Sequence, residues 1–241
     1  MGTEIDKKTV NHSEEEIQQE LIRRQKRKET ITSILPVVGL IALCAIFTGL
    51  TGGQFLGINN LELLVNQCFT MCVVVVGGAF LYSIGGLDMA VGAVMALSAT
   101  VMTLVFNAGM PLLVSFIIGA IVAVVCMSVT AFARNYLKVT PFIASLCMMN
   151  ICQGLVLTAV ARNGKIVFNY SQASWVDDTV TKVITLILLI FIGGVLFNYT
   201  SIGKSLKAIG GNPTAARISG IKVEKMVFVA YAIVAVTIAI G

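Results

Sequence analysis

Ser201-Ile-Gly-Lys-Ser-Leu-Lys-Ala-Ile-Gly-Gly-Asn-Pro-Thr-Ala-Ala-Arg-Ile-Ser-Gly-Ile-Lys-Val-Glu-Lys225 is a polar stretch between two hydrophobic spans. Ile202, Leu206 and Ile209 recur at helical spacing, so its first part reads as a short amphipathic helix that Gly210-Gly211 stops. Asn212 is a strong N-cap, and Pro213 falls at the first helical position, where a missing N–H removes no bond. Thr214 to Ser219 supply about one and a half turns, and Gly220 suits the C′ position. A capped helix this short is no domain; it suits docking into another protein's groove.

The flanking spans set the class. Of 241 residues, 57% are hydrophobic and 12% charged, against about 25% charged in a soluble domain. The expected fold is therefore all-α, a polytopic transmembrane helix bundle with one short cytoplasmic coupling helix. The net charge of +5 does not imply nucleic acid, because the basic residues sit in short clusters beside apolar runs. All six cysteines lie inside apolar spans and read as packing residues, and the single histidine, His12, is in the polar tail. No metal ligand set, nucleophile–base pair or dinucleotide fingerprint occurs, so neither cofactor nor catalytic residue is expected.

Outward from the loop, spans are expected at 31–50, 61–81, 88–106, 111–133, 141–160 and 183–199. A seventh opens near Met226 and reaches only Gly241, short of the roughly 20 residues a crossing needs. Residues 1–30 form a separate polar tail. Within it, Ser13 and Glu16 make a capping box before Ile17, Leu21 and Ile22. A basic run, Arg23 to Lys28, follows. The tail, Arg134 with Lys138, and Lys204 to Lys225 share one side of the bundle. The positive-inside rule puts that side in the cytoplasm. In the longest outer connection, Tyr170 and Trp175 suit the membrane interface, or else a landing surface for a soluble partner.

Three stretches carry a family resemblance. Ile209-Gly-Gly-Asn-Pro-Thr-Ala-Ala-Arg-Ile-Ser-Gly-Ile221 resembles the cytoplasmic loop of ribose-type sugar permeases, the membrane subunits of bacterial ATP-binding-cassette importers. Gly85-Gly-Leu-Asp-Met-Ala-Val-Gly92 resembles that family's Gly-Gly-Ile-Asp-Leu-Ser-Val-Gly. Thr140-Pro-Phe-Ile-Ala-Ser-Leu146, with Gly154 beyond, resembles its Thr-Pro-Phe-Ile-Ala-Thr-Leu. The resemblance implies that residues 31–241 are a permease domain, incomplete at its C-terminal end, in the bacterial inner membrane. It also implies three partners: an ABC ATPase, an extracytoplasmic sugar-binding protein and a second permease copy. Gly210, Gly211, Asn212, Pro213, Ala215, Ala216, Arg217 and Gly220 would then be the ATPase-coupling set, with Ala215 and Ala216 as an exposed small face. Gly203-Lys204-Ser205 looks like the end of a phosphate-binding loop, but Asn198 stands where that motif needs glycine. ATP hydrolysis is accordingly expected on a separate chain.

Asp88 is the sole carboxylate expected deep in the membrane, and Gly85-Gly86 before it suggest a broken helix. Two roles are open: a cap on span 3, which is preferred, or contact with substrate or gate. Gly92, with Ala96 and Ala99, continues its face with small residues for close packing or a pore wall. Thr140-Pro141 opens span 5 in a similar way. Asn66, Gln67, Asn150 and Gln153 are amides within spans, so they should face the bundle and bond another helix or a sugar hydroxyl. A neutral polyol needs amides and hydroxyls rather than paired charges. The function expected is a permease subunit for a ribose-, galactose- or xylose-type sugar. The alternatives are a nucleoside or furanose-like signalling solute, an ion-coupled secondary transporter using Asp88, and a structural scaffold without transport.

Overall fold

A computed structural model describes residues 34–168 and 178–241. Among these residues all regular structure is helical. The helices are α1 (Ile34–Leu50), α2 (Ile58–Tyr82), α3 (Val91–Asn107), α4 (Leu112–Asn135), α5 (Pro141–Asn163), α6 (Thr179–Tyr199), α7 (Ser201–Gly211), α8 (Pro213–Ile218) and α9 (Val223–Ile240). Helices α2, α4, α5, α6 and α9 are long and apolar enough to cross a membrane; α1 and α3 are apolar but shorter. The protein is a multi-pass, all-α membrane protein. The polar tail, Tyr170 and Trp175 lie outside the described residues.

The described residues divide into two compact units, one ending at Leu61 and one from Glu62 to Gly241. In the first, α1 ends in a turn where Gly52 and Gly53 take φ of 59° and 89°. The Thr51 hydroxyl closes that turn, donating to the Phe47 carbonyl at 2.7 Å and accepting the Phe55 N–H at 3.0 Å. The rings of Phe47 and Phe55 stack with centroids 5.7 Å apart.

In the second unit, α4 packs against α3 and α9, and α3 also packs against α5. Val94 and Leu97 of α3, Ala123, Met127 and Ala131 of α4, and Tyr231, Val234 and Ile238 of α9 form one buried core. Small residues let the helices approach, as expected where lipid gives no hydrophobic drive to association. A β-carbon at Gly119 would lie 3.2 Å from the Ser98 carbonyl oxygen, and one at Gly193 would lie 2.8 Å from Val76. The Ser98 hydroxyl donates to the Gly119 carbonyl at 2.8 Å, a buried bond joining α3 to α4.

Several boundaries depart from the sequence reading. Helix α3 begins at Val91 rather than Asp88, because residues 83–90 form an irregular turn. Helix α9 begins at Val223, three residues before Met226, and runs for 18 residues, enough to count as a span. Glu224 in its first turn favours that early start, since a carboxylate complements the partial positive charge of a helix N-terminus. Gly210 and Gly211 do not stop α7; both are helical, and Asn212 ends the helix.

Candidate functional site

Two structures carry the candidate residues: the turn between α2 and α3, and the α7–α8 unit. Both lie at the same end of the second unit. Asn135 at the end of α4 donates to the Glu224 carbonyl at the start of α9, at 3.0 Å. Arg134 donates from Nη2 to the Ile84 carbonyl in the turn, at 2.9 Å.

Gly85 takes φ of 67°, a conformation that L side chains rarely adopt, and so reverses the chain after α2. Gly86 is buried, and a β-carbon there would lie 2.7 Å from Arg134 Nη1 and 3.1 Å from the Leu81 carbonyl oxygen. Asp88 follows. Its Oδ1 accepts the Ala90 N–H at 2.7 Å in the turn just before α3; the N-cap is Ala90 and no side chain caps the helix, so Asp88 shapes the entry to α3 rather than capping it as expected. Its Oδ2 is buried without a hydrogen-bond partner. Close by is Tyr231 of α9, 1% exposed, near both Asp88 and Arg134. Tyr231 is eight positions past Val223 in α9, about 12 Å along the helix at 1.5 Å per residue. The turn is therefore set inward from the α8 level.

The α7–α8 unit is built by caps. Thr200 Oγ1 accepts the Gly203 N–H at 3.5 Å, and α7 buries Leu206 and Ile209, leaving Lys204 exposed. Lys207 donates to Asn198 at 2.9 Å and lies 4.4 Å over the Phe197 ring. Asn212 Oδ1 accepts from the Thr214 and Ala215 N–H groups at 3.0 and 3.1 Å, with Pro213 at the first helical position. At the other end, Gly220 takes φ of 86°. Its N–H bonds to the Arg217 carbonyl and that of Ile221 to the Ala216 carbonyl, a Schellman closure. Arg217 pairs with Glu224, fastening α8 to α9.

One expectation about this helix is reversed. Ala216 is 4% exposed and packs into the core; it does not join Ala215 on an outer face. A helix of one and a half turns must bury one stripe, and Ala216 is that stripe. The outward residues are Thr214, Ala215, Arg217 and Ile218, the last 84% exposed.

The amides also divide. Asn66 accepts from Lys182 of α6 at 3.0 Å, so it does join two helices. Gln67 is exposed. Asn150 and Gln153 are exposed on α5, and Asn150 donates to the Leu146 carbonyl of its own helix at 2.8 Å. The expected bundle-facing orientation fails for these two because α5 buries Ala144, Ser145, Met148 and Cys152 instead. Gly92, Ala96 and Ala99 likewise form an exposed face of α3, with open space where a Gly92 β-carbon would point. Thr140 makes no side-chain cap, while Pro141 occupies the first turn of α5. A crevice of about 460 Å³ between α2, α6 and α9 is lined by residues such as Leu189, Ile192 and Ile233; it is almost wholly apolar and does not suit a polyol.

In the sequence Arg134 reads only as a positive-inside charge, and nothing marks Tyr231. No local spacing links residues 88, 134 and 231; only the packing of α4 and α9 brings them together.

The family model described as "Branched-chain amino acid transport system / permease component" matches residues 60–241. The chain is similar to the ribose import permease protein RbsC of Bacillus subtilis, with 29% identity over 204 residues, covering 82% of this chain and 63% of that one. It is similar to the fructose import permease protein FrcC of Rhizobium meliloti, with 25% identity covering 82% of this chain and 58% of that one. For the D-allose transport system permease protein AlsC of Escherichia coli the identity is 27%, covering 80% and 61%. The chain thus spans about three fifths of the length of these relatives. No solved structure matches it at a significant level. With all regular elements among the described residues helical and the match running from near the start of α2 to the last residue, the chain belongs to this family of transport-system permease components.

Proposed function

We propose that this protein is the permease subunit of an ATP-driven importer that moves a simple sugar, of the ribose, galactose or xylose type, across the bacterial inner membrane. Helix α8 and its lysine-rich surroundings face the cytoplasm and seat a separate ABC ATPase, and the N-terminus lies on the same side. An extracytoplasmic binding protein delivers the sugar. A second permease copy completes the path, which would use the exposed polar face of α5 at Asn150 and Gln153 and the small-residue face of α3 at Gly92. The sugar class rests on the relatives' names: ribose, fructose and allose permeases.

The observation that carries this reading is Ile218. A helix capped at both ends, tied to α9 by Arg217–Glu224, presents an isoleucine at 84% exposure beside exposed Ala215. An apolar side chain held out on a rigid, polar surface unit suits an anchor for a partner's groove. The deciding experiment is co-purification of the full-length permease with its ATPase. Ile218→Asp should lower ATPase recovery by about tenfold or more, the loss of one anchor contact, with permease yield unchanged. Equal recovery from Ile218→Asp and wild type would remove docking through this face. A substitution at Ala216 would not test docking, since Ala216 is 4% exposed and a charge there would enter the core.

A further inference from the structure

Three buried polar atoms make no hydrogen bond of ordinary geometry, Asp88 Oδ2, Arg134 Nη1 and Tyr231 Oη, and the Arg134 and Tyr231 side chains lie near enough to interact. Native interiors leave few such groups, and each calls for a reason. A carboxylate oxygen and a guanidinium nitrogen are complementary, yet here they stay apart. Arg134 uses Nη2 on the Ile84 carbonyl, while Nη1 lies beside Gly86, two residues short of Asp88. Asp88 keeps Oδ1 on the Ala90 N–H and leaves Oδ2 idle.

The turn that separates them is tied to the end of α2, the Gly85 N–H on the Tyr82 carbonyl at 3.0 Å and the Gly86 N–H on the Leu81 carbonyl at 2.9 Å. Gly85 and Gly86 are adjacent, the first already at φ 67°. On its other side the turn touches α7, because a β-carbon at Gly210 would overlap the Ser83 carbonyl oxygen. A shift of α7 must therefore be passed to the turn, backbone against backbone. Arg134 contacts the same turn at the Ile84 carbonyl from the end of α4, which Asn135 fastens to α9.

We propose that Asp88 and Arg134 form a state-dependent latch: displacement of the α2–α3 turn by α7 closes Asp88 Oδ2 onto Arg134 Nη1, beside Tyr231, in one state of the transport cycle and opens it in the other. The structure described here is the open form. Arg134 and Tyr231 are thus positioning residues, coupling the α7–α8 unit to the Asp88 turn. The inference rests on the importer reading, since α7 has to be driven by a docked ATPase.

The test uses the full-length permease with its ATPase, with every native cysteine, six of them in this chain, replaced by alanine and new ones at Leu87→Cys and Tyr136→Cys. Leu87 and Tyr136 are both exposed and flank the latch residues in sequence. Cross-linking by a short bis-maleimide is timed in the nucleotide-free and vanadate-trapped complexes. The rate should differ between the states by at least about fivefold, the lower end of ordinary site-to-site coupling. The difference should vanish in Asp88→Asn and in Arg134→Gln, each of which removes one charge of the pair. Equal rates in both states with the native pair would overturn the latch and leave a static cluster bridged by water. Persistence of the difference in a folded Asp88→Asn protein would overturn it too. Failure of the wild-type permease to recover the ATPase at all would instead sink the importer reading, and the latch with it.

Discussion

The backbone of Gly210 lies directly against the carbonyl oxygen of Ser83, with no room for a β-carbon between them. This contact joins α7 to the turn that leads to Asp88, and it explains why glycine stands in the last turn of a helix. Glycine there lowers helix stability by about 0.5–1 kcal/mol relative to alanine, so the close approach has to outweigh it. Gly210→Ala should destabilise the protein by about 1–3 kcal/mol, as overpacking against unyielding backbone does. Gly211→Ala is the control: nothing lies within 4 Å of its β-carbon position, so that variant should be neutral or stabilised by up to about 1 kcal/mol. Thermal unfolding of the two variants in detergent distinguishes the positions; equal behaviour would refute the contact.

The same pair shows what a sequence does and does not disclose. Two consecutive glycines at the end of a helical pattern read as a stop, because a local rule sees only propensity. The structure keeps both inside α7, because the partner of Gly210 is about 130 positions away, at Ser83. Features set by neighbours in the chain were legible: the Asn212 cap, Pro213 at the first helical position, Gly220 at C′, and the Asp88 contact with the Ala90 N–H. Features set by helix faces were not. Ala216 and Ala215 look alike in sequence, and which one is buried depends on where α8 rests. Asn150 and Gln153 were expected inward for the sound reason that lipid cannot satisfy an amide. Asn150 met that need through the Leu146 carbonyl of its own helix.

Asn212 should be the position at which α8 is most easily melted. Its side chain satisfies two N–H groups at once, and a helix of six residues has few other bonds. Asn212→Ala should cost about 1 kcal/mol, in line with other cap removals, and Asn212→Asp should cost almost nothing. Hydrogen exchange at Ala216 and Ser219, whose N–H groups bond to Asn212 and Ala215, would report the loss directly. Unchanged protection in Asn212→Ala would show that packing of Ala216 alone holds the helix.

The α3–α4 contact offers a test of what joins the bundle. The Ser98 hydroxyl bonds to the Gly119 carbonyl, but shape also matters there, since a β-carbon at Gly119 would come within 3.1–3.3 Å of Met102 and Ser98. Hydrogen bonds between membrane helices average about 0.6 kcal/mol, so Ser98→Ala should be mild. Gly119→Ile should cost more, about 1–3 kcal/mol or above, because the Ser98 backbone cannot give way. Denaturant titration in mixed micelles compares them. The reverse order would make the hydrogen bond, not the close approach, the main tie.

Asp88 combines two duties that separate by substitution. Oδ1 holds the Ala90 N–H at 2.7 Å, and this bond does not need a charge. Asparagine keeps an acceptor in the same place, so Asp88→Asn should fold with a stability change within about 0.5 kcal/mol, while Asp88→Ala should lose about 1 kcal/mol with that hydrogen bond. Oδ2 is idle and buried, and only its charge distinguishes it from an amide. If the carboxylate serves merely that hydrogen bond, Asp88→Asn should transport at the wild-type rate. If the charge is used, as the latch requires, Asp88→Asn should bind the ATPase normally yet lose most uptake per ATP hydrolysed. Measuring stability, ATPase recovery and uptake on the same two variants separates the possibilities. A normally folded Asp88→Asn protein with full uptake would leave the buried carboxylate no role beyond the start of α3.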